Sequence, residues 1–361
     1  MINASTSTNF TASNCSNVNL DSLFIKVIKT MAYCMILLLS VVGNGFIVAV
    51  IYRKRKLRSS INLLIWSMSA SDIFMQLSII PLRIKDVFYH QGQWFVYGVI
   101  GEILCKVTSY LHTTGTMVSI VTMLIIAVER FFSVVFPLKK PPIRTKRACY
   151  ALIVFSWCFS ALSASPNLFN LSLIKLDNIH FCSYNWEPIF NHKEAVKVEM
   201  TVFFVVFTIV PFIFLTSLYT AIIISLYSQN VSPHLASEEL KRRAQENKRV
   251  TFMLLTVVVI FLLSWAPVNT YAYISYFVLN THLPCELRNL LFAGMFLSYT
   301  YPAINPFVYY VFNEHYKSAI QEIINRSACC NKKRTREETS IEIRNLRVTI
   351  ESGLSQASME N

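Results

Sequence analysis

The last apolar run of this chain ends in Asn305-Pro306-Phe307-Val308-Tyr309, and the third ends in Glu129-Arg130-Phe131. Amide and charged groups inside a lipid-facing stretch are costly, so they mark machinery or a buried partner. No catalytic constellation accompanies them, and an enzyme is not expected. A carboxylate beside a guanidinium, and an amide beside a helix-kinking proline, are parts suited to a switch. Both clusters fall at the same end of their runs.

The elements that position them are apolar. The chain has 361 residues, 54% apolar and 15% charged, with mean hydropathy +0.45. Soluble domains carry about 25% charged residues, and a helix needs about 20 mostly apolar residues to cross a bilayer. Seven stretches qualify, near 30–52, 61–84, 103–132, 148–169, 198–226, 250–279 and 290–312. The expectation is an all-α bundle of seven membrane helices over 30–312. It follows a tail over 1–29 and precedes an amphipathic helix with lipidation sites over 313–330 and a disordered tail over 331–361.

Charge orients the bundle. Arg53–Arg58, Lys139–Arg147 and Lys241–Arg249 crowd the first, third and fifth connections. Cationic short loops stay cytoplasmic, which places the N-terminus outside and suits a multi-pass protein of the plasma membrane. The net charge of +13 resides in these loops and the tail. It needs no nucleic acid, though anionic inner-leaflet lipid attracts it. The first tail lacks Lys and Arg before Lys26 and holds glycosylation sequons at Asn3, Asn9 and Asn14. No cleavable signal peptide is expected before the first span, since no apolar core of suitable length precedes it.

The nine cysteines divide by compartment. Cys34, Cys149 and Cys158 lie in spans and read as small apolar packers. Cys105 and Cys182 both fall outside, where a disulfide can form. Cys15 and Cys285 are the remaining outer pair and candidates for a second bridge. Cys329 and Cys330 follow the last helix inside and are candidates for palmitoylation.

Cys105 and Arg130 stand 25 residues apart, about 37 Å of helix, close to the bilayer with its interfaces. The third span thus has an outer cysteine and an inner arginine. A snorkelling interfacial arginine would read the same way from this segment alone. With Gly43-Asn44, Asp72, Trp157, Pro211, Tyr219, Phe261, Ser264-Trp265-Ala266-Pro267 and the Asn-Pro-x-x-Tyr motif in order, the chain resembles the rhodopsin-like (class A) G-protein-coupled receptors.

That resemblance implies roles. Arg130, held by Glu129, would be released to meet a heterotrimeric G protein. Tyr219 and Tyr309 would turn inward. Ile120, Pro211, Phe261 and Trp265 would transmit the change. Pro267 and Pro306 each remove a backbone hydrogen bond and kink their helices, and neighbours can satisfy the freed carbonyls. Leu138 would enter a G-protein pocket. Asp72, Ser119 and Asn305 resemble the family's allosteric sodium site. A carboxylate at mid-membrane needs a partner or a proton, and a neutral Asp72 bonded to Asn44 and Asn305 is the alternative. Tyr301-Pro302 departs from a small polar pair, and Ser264 from a cysteine. Asn247 replaces an acid that some relatives place at the foot of the sixth helix.

The ligand reading is less direct. His112 stands where amine receptors carry an Asp, and Tyr299 where opsins carry the retinal Lys. The second outer connection is long, about 170–193, with an extended stretch near 174–184. With Trp94-Phe95 and Cys182-x-x-x-Trp186, it resembles neuropeptide Y, neuropeptide FF and galanin-type receptors. The implied ligand is a short, possibly amidated neuropeptide. A small non-amine ligand is the alternative within the family, and a transporter or channel the alternative outside it. Expected pocket residues are Arg83, Asp86, Thr108, His112, Thr113, Thr116, Glu199, Asn269, Met295 and Tyr299. Asp86, Glu102, Glu187 and Glu199 would attract a basic peptide, or else be solvated rim charges. Tail hydroxyls from Thr335 to Ser358 are candidate phosphosites for a receptor kinase and arrestin.

Overall fold

The computed structural model describes residues 21–136, 143, 145–176, 178–229, 238–277, 287–314, 316–319 and 321–322. Eight α segments dominate: α1 (Leu23–Arg53), α2 (Ser60–Phe88), α3 (Gly98–Val135), α4 (Lys146–Ala164), α5 (His192–Phe204), α6 (Val210–Gln229), α7 (Glu238–Phe277) and α8 (Leu287–Phe312). A π turn, Val205–Ile209, joins α5 to α6 in one rod, so the eight segments make seven long helices. Among the described residues six are long and apolar enough to cross a membrane. The seventh, α8, is diluted by Tyr299, Thr300, Tyr301 and Asn305.

Polar residues before each apolar run start the helices. Ser22, Ser59, Thr145 and Asn191 accept from Ile25, Asn62, Ala148 and Glu194 backbone N–H groups at 3.2–3.4 Å, satisfying donors that a helix start leaves free.

The helices close a ring in which α1 packs on α2, α2 on α3, α3 on α6, α6 on α7, α7 on α8 and α8 on α1. Helix α3 is the centre; Met117, Val118, Ile120, Met123, Ile126 and Ala127 are buried. Helix α4 packs on α3 and α2, where Trp157 donates to Ser67 Oγ at 3.0 Å. The outward faces stay apolar, with Met31, Leu38, Val154 and Leu162 more than half exposed. Such patches are unusual on a soluble monomer and fit a lipid surround. Of the span cysteines, Cys149 is buried while Cys34 and Cys158 are exposed on these faces, so only the first packs inside the bundle.

Two buried amides reach the backbone of α8 around its prolines. Pro306 cannot donate to Pro302 O, and Asn44 Nδ2 does so instead at 2.8 Å. Tyr299 O, three residues before Pro302, accepts from Gln76 Nε2 at 2.8 Å. Neighbouring helices thus complete a kinked backbone. The approach is close: a Cβ on Gly43 would lie 2.8 Å from Pro306 Cγ, so α1 requires a small residue there.

A three-stranded sheet covers the outer end in the order β1-β3-β2. Strands β2 (Leu171–Leu176) and β3 (Ile179–Tyr184) form the antiparallel hairpin expected near 174–184, and β1 (Gln93–Trp94) pairs with β3. Asn178 turns the hairpin at φ 63°. Cys105 and Cys182 are joined, Cα atoms 5.7 Å apart, pinning β3 to the outer end of α3.

This unit ends at Asn313, and a second begins at Glu314. Within the second, residues 314, 316–319 and 321–322 are helical, where the amphipathic helix is expected. Asn3, Asn9, Asn14, Cys15, Leu138, Cys285, Cys329 and Cys330 lie outside the described residues, as do Ile320, Ile323 and Ile324.

Candidate functional site

A cavity of about 400 Å³ opens beneath the hairpin between α2, α3, α5, α6 and α7. Its floor is Phe261 and Trp265, with ring centroids 6.2 Å apart. Six residues expected at the pocket line it: Arg83, His112, Thr113, Thr116, Glu199 and Asn269. Helical spacing on α3 turns His112, Thr113 and Thr116 to one face.

The other four stand elsewhere for identifiable reasons. Asp86 is drawn into an ion-pair cluster with Arg83 Nη1 at 3.0 Å and Lys85 Nζ at 2.9 Å, and also accepts from Gly92 N at 3.3 Å. Lys85 donates onward to Gln93 O. Asp86 therefore ties the first outer loop to α2. Thr108 bonds its own helix, donating to Leu104 O at 2.6 Å. Met295 packs in a core cluster with Tyr33, Ile36, Ile79 and Tyr299. Tyr299 is 5% exposed, and its hydroxyl accepts from Arg83 Nε at 3.1 Å. It buttresses the pocket arginine from behind. Of the other outer acids, Glu102 pairs with Lys106 at 2.7 Å, as a rim charge would, and Glu187 is exposed.

Sequence reasoning missed the aromatic wall. Phe203, Phe204, Phe207, Phe212 and Tyr273 line the cavity with Met200 and Tyr184, and Phe204 stacks on Tyr273 at 4.8 Å. The run of phenylalanines was legible, but its facing depends on the π turn, which shifts helical phase by one residue. At that turn Asn269 Nδ2 donates to Thr208 Oγ1 at 3.0 Å, linking α7, just past Pro267, to the fifth helix.

The inner cluster is folded on itself. Arg130 donates twice to Glu129, Nε to Oε2 at 2.6 Å and Nη2 to Oε1 at 2.9 Å, and Ser133 Oγ donates to Oε1 at 3.0 Å. The pair is 5% and 7% exposed, too enclosed for a snorkelling surface arginine. Asn247 is exposed on α7. Tyr219, midway along α6, and Tyr309, three residues before the end of α8, are both buried. Ile120 and Phe261 line the cavity floor, and Phe261 meets Tyr301 edge-on at 5.1 Å. Pro211 is buried one residue into α6, and Pro267 lies inside α7.

Between the two ends sits Asp72, fully buried. It accepts from Ser119 Oγ at 2.8 Å and Asn305 Nδ2 at 3.0 Å. Asn44 turns to Pro302 O instead, so only Asn305 of the two expected amides reaches this carboxyl. Asn305 Oδ1 is buried without a partner among the described residues. Tyr301 directs its hydroxyl to Met68 Sδ and Met123 Sδ, each 3.7 Å away.

Residues 43–309 match the family described as "7 transmembrane receptor (rhodopsin family)". Curated relatives are similar over most of their length. A QRFP-like peptide receptor of Branchiostoma floridae is 26% identical, covering 81% of this chain and 76% of that protein. Neuropeptide Y receptor type 6 of Oryctolagus cuniculus is 28% identical, with 88% and 84% covered. Galanin receptor 2b of Danio rerio is 25% identical, with 93% and 84% covered. The chain belongs to the rhodopsin family, the class A G-protein-coupled receptors: it is a multi-pass membrane receptor and not an enzyme.

Proposed function

We propose that this receptor sits in the plasma membrane with its N-terminus outside and converts binding of a short extracellular peptide into nucleotide exchange on a heterotrimeric G protein. The observation that carries the reading is α3, which bears at one end the disulfide that pins a hairpin over the cavity and near the other the buried Glu129–Arg130 pair. The names of the relatives add weight, since peptide ligands head them. His112 leaves α3 without the carboxylate that amine receptors use there.

The mechanism is a population shift, in which a ligand bound better by one arrangement of the outer half drags the inner half with it. Arg83, His112 and Asn269 would hold the ligand. Trp265 and Phe261 would pass its displacement to Tyr301 and the kinked α8. Arg130 would leave Glu129 to meet the G protein, with Leu138 beside it, and Tyr219 and Tyr309 would fill the vacated space. Kinase and arrestin would act on tail hydroxyls, and basic loops with palmitoylated Cys329 and Cys330 would rest on anionic lipid. A second-messenger screen with a promiscuous G protein tests this. A saturable response to one amidated peptide class is expected. A response to small non-amine ligands alone moves the ligand class, and solute flux without G protein overturns the reading.

A sodium ion at Asp72, Ser119 and Asn305 is part of the same proposal. The residues fit it: a buried carboxylate whose partners among the described residues are neutral, a hydroxyl, and the orphaned Asn305 Oδ1. A bound cation would supply the counter-charge that Asp72 lacks. The receptor in nanodiscs should melt several degrees higher in sodium chloride than in choline chloride of equal ionic strength. Asp72→Asn should erase that difference. Equal melting of the unaltered protein in both salts excludes the ion.

A further inference from the structure

Arg83 and Glu199 are the charged side chains that line the cavity among the described residues. Their positions on α2 and α5 look symmetrical in charge, but their partners are not. Arg83 is compensated by Asp86 at 3.0 Å, and its Nε is satisfied by Tyr299. Among the described residues Glu199 has no cation beside it. Its two oxygens accept from neutral donors, Asn170 Nδ2 at 2.8 Å and Trp186 Nε1 at 3.1 Å. Among the described residues Glu199 is therefore the cavity's one charge without an opposite charge beside it.

We propose that the cavity selects a ligand bearing one cationic group, guanidinium or ammonium, which binds Glu199, and a neutral hydrogen-bonding group that meets Arg83. The inference rests on the receptor reading above and names the ligand chemistry within it.

The surroundings of Glu199 suit this role. Asn170 and Trp186 flank the hairpin, so they orient the carboxylate while leaving it lone pairs; a carboxylate offers about four acceptor sites. Asn170 is 1% exposed and its Oδ1 has no partner among the described residues. A guanidinium, with five donors, can engage the carboxylate's remaining lone pairs. The aromatic wall beside it adds cation–π attraction. At the other end a ligand carboxylate would compete with Asp86 for Arg83, whereas a carbonyl or amide accepts from the guanidinium without disturbing its pair. Glu199 could instead serve only to hold the hairpin to α5, and the ligand side of the experiment separates the two roles.

The test uses the full chain in nanodiscs, read by thermal melting. One arm presents tetrapeptide amide pools that carry arginine, its neutral isostere citrulline, or glutamate at a scanned position. The other presents benzamidine against neutral benzamide. The arginine pools and benzamidine should raise the melting temperature, with citrulline and benzamide needing about 10- to 100-fold more for the same rise. Glu199→Gln should abolish that preference. Because the arginine–citrulline comparison is made on the unaltered receptor, misfolding of the variant cannot decide the result. Equal action of arginine and citrulline pools overturns the proposal and leaves the peptide reading standing. Benzamidine stabilisation without any peptide effect keeps the proposal and overturns the peptide reading. No stabilisation in either arm overturns both.

Discussion

Arg130→Ala is expected to abolish ligand-dependent nucleotide exchange, while Glu129→Gln raises ligand-free exchange several-fold. The two oppose each other because of the bidentate pair, with bonds of 2.6 and 2.9 Å in a setting less than a tenth exposed. Removing the guanidinium strands a buried carboxylate with Ser133 Oγ as its remaining partner among the described residues, which costs about 3–5 kcal/mol. The alanine variant should therefore also reach the surface in smaller amounts. Removing the carboxylate's charge weakens the hold on Arg130 and leaves Ser133 an oxygen to donate to, so the arginine is freed at little cost to folding. Labelled guanine-nucleotide exchange in membranes, divided by surface receptor number, checks both. Unaltered exchange per receptor in Arg130→Ala would remove this residue from the coupling machinery.

Cys182→Ser is expected to lower stability by about 2–5 kcal/mol and to weaken ligand response by at least tenfold. The bond spans a sequence separation of 77, and without it the unfolded chain regains the large entropy that so long a closed loop removes. Its effect on the site is geometric. Strand β3 holds β1 and β2 in register, and Cys182 N also donates to Gly92 O at 2.9 Å. Freeing it releases Tyr184 from the cavity wall. It also frees the far side of the hairpin, where Trp186 meets Glu199. Cys105→Ser should give the same loss, and the double variant no more than either one, since both break one bond. Melting temperature and concentration–response curves read this out; additive losses would mean the two cysteines act separately.

The seven helices and the hairpin lid were legible because each rests on a local rule. Lipid demands about 20 apolar residues in a row, and the lid alternates over a short span. The switch pair was legible for the same reason, since Glu129 and Arg130 are adjacent. The cavity was only partly so. Arg83 and Asp86 are three residues apart on one helix and were readable as a pair, yet both were expected to face a ligand. Whether Lys85 joins them depends on where the first outer loop returns. The aromatic wall depends on a π turn that no residue type announces, and the placing of Tyr299 and Met295 on how α8 kinks against α1.

By itself, then, the sequence determined the number of the helices, the place of the switch and the candidate cysteines for a disulfide, because hydropathy and compartment act on residues near one another or on one side of the membrane. Only the tertiary structure decided which charges remain uncompensated. Asp86 and Glu199 are the same kind of group in the sequence. One is neutralised by two cations within about a hydrogen bond's reach and the other is held by neutral donors alone. The charge a ligand meets is set by what the fold brings beside each carboxylate, and Coulomb energy depends on that separation and its surroundings.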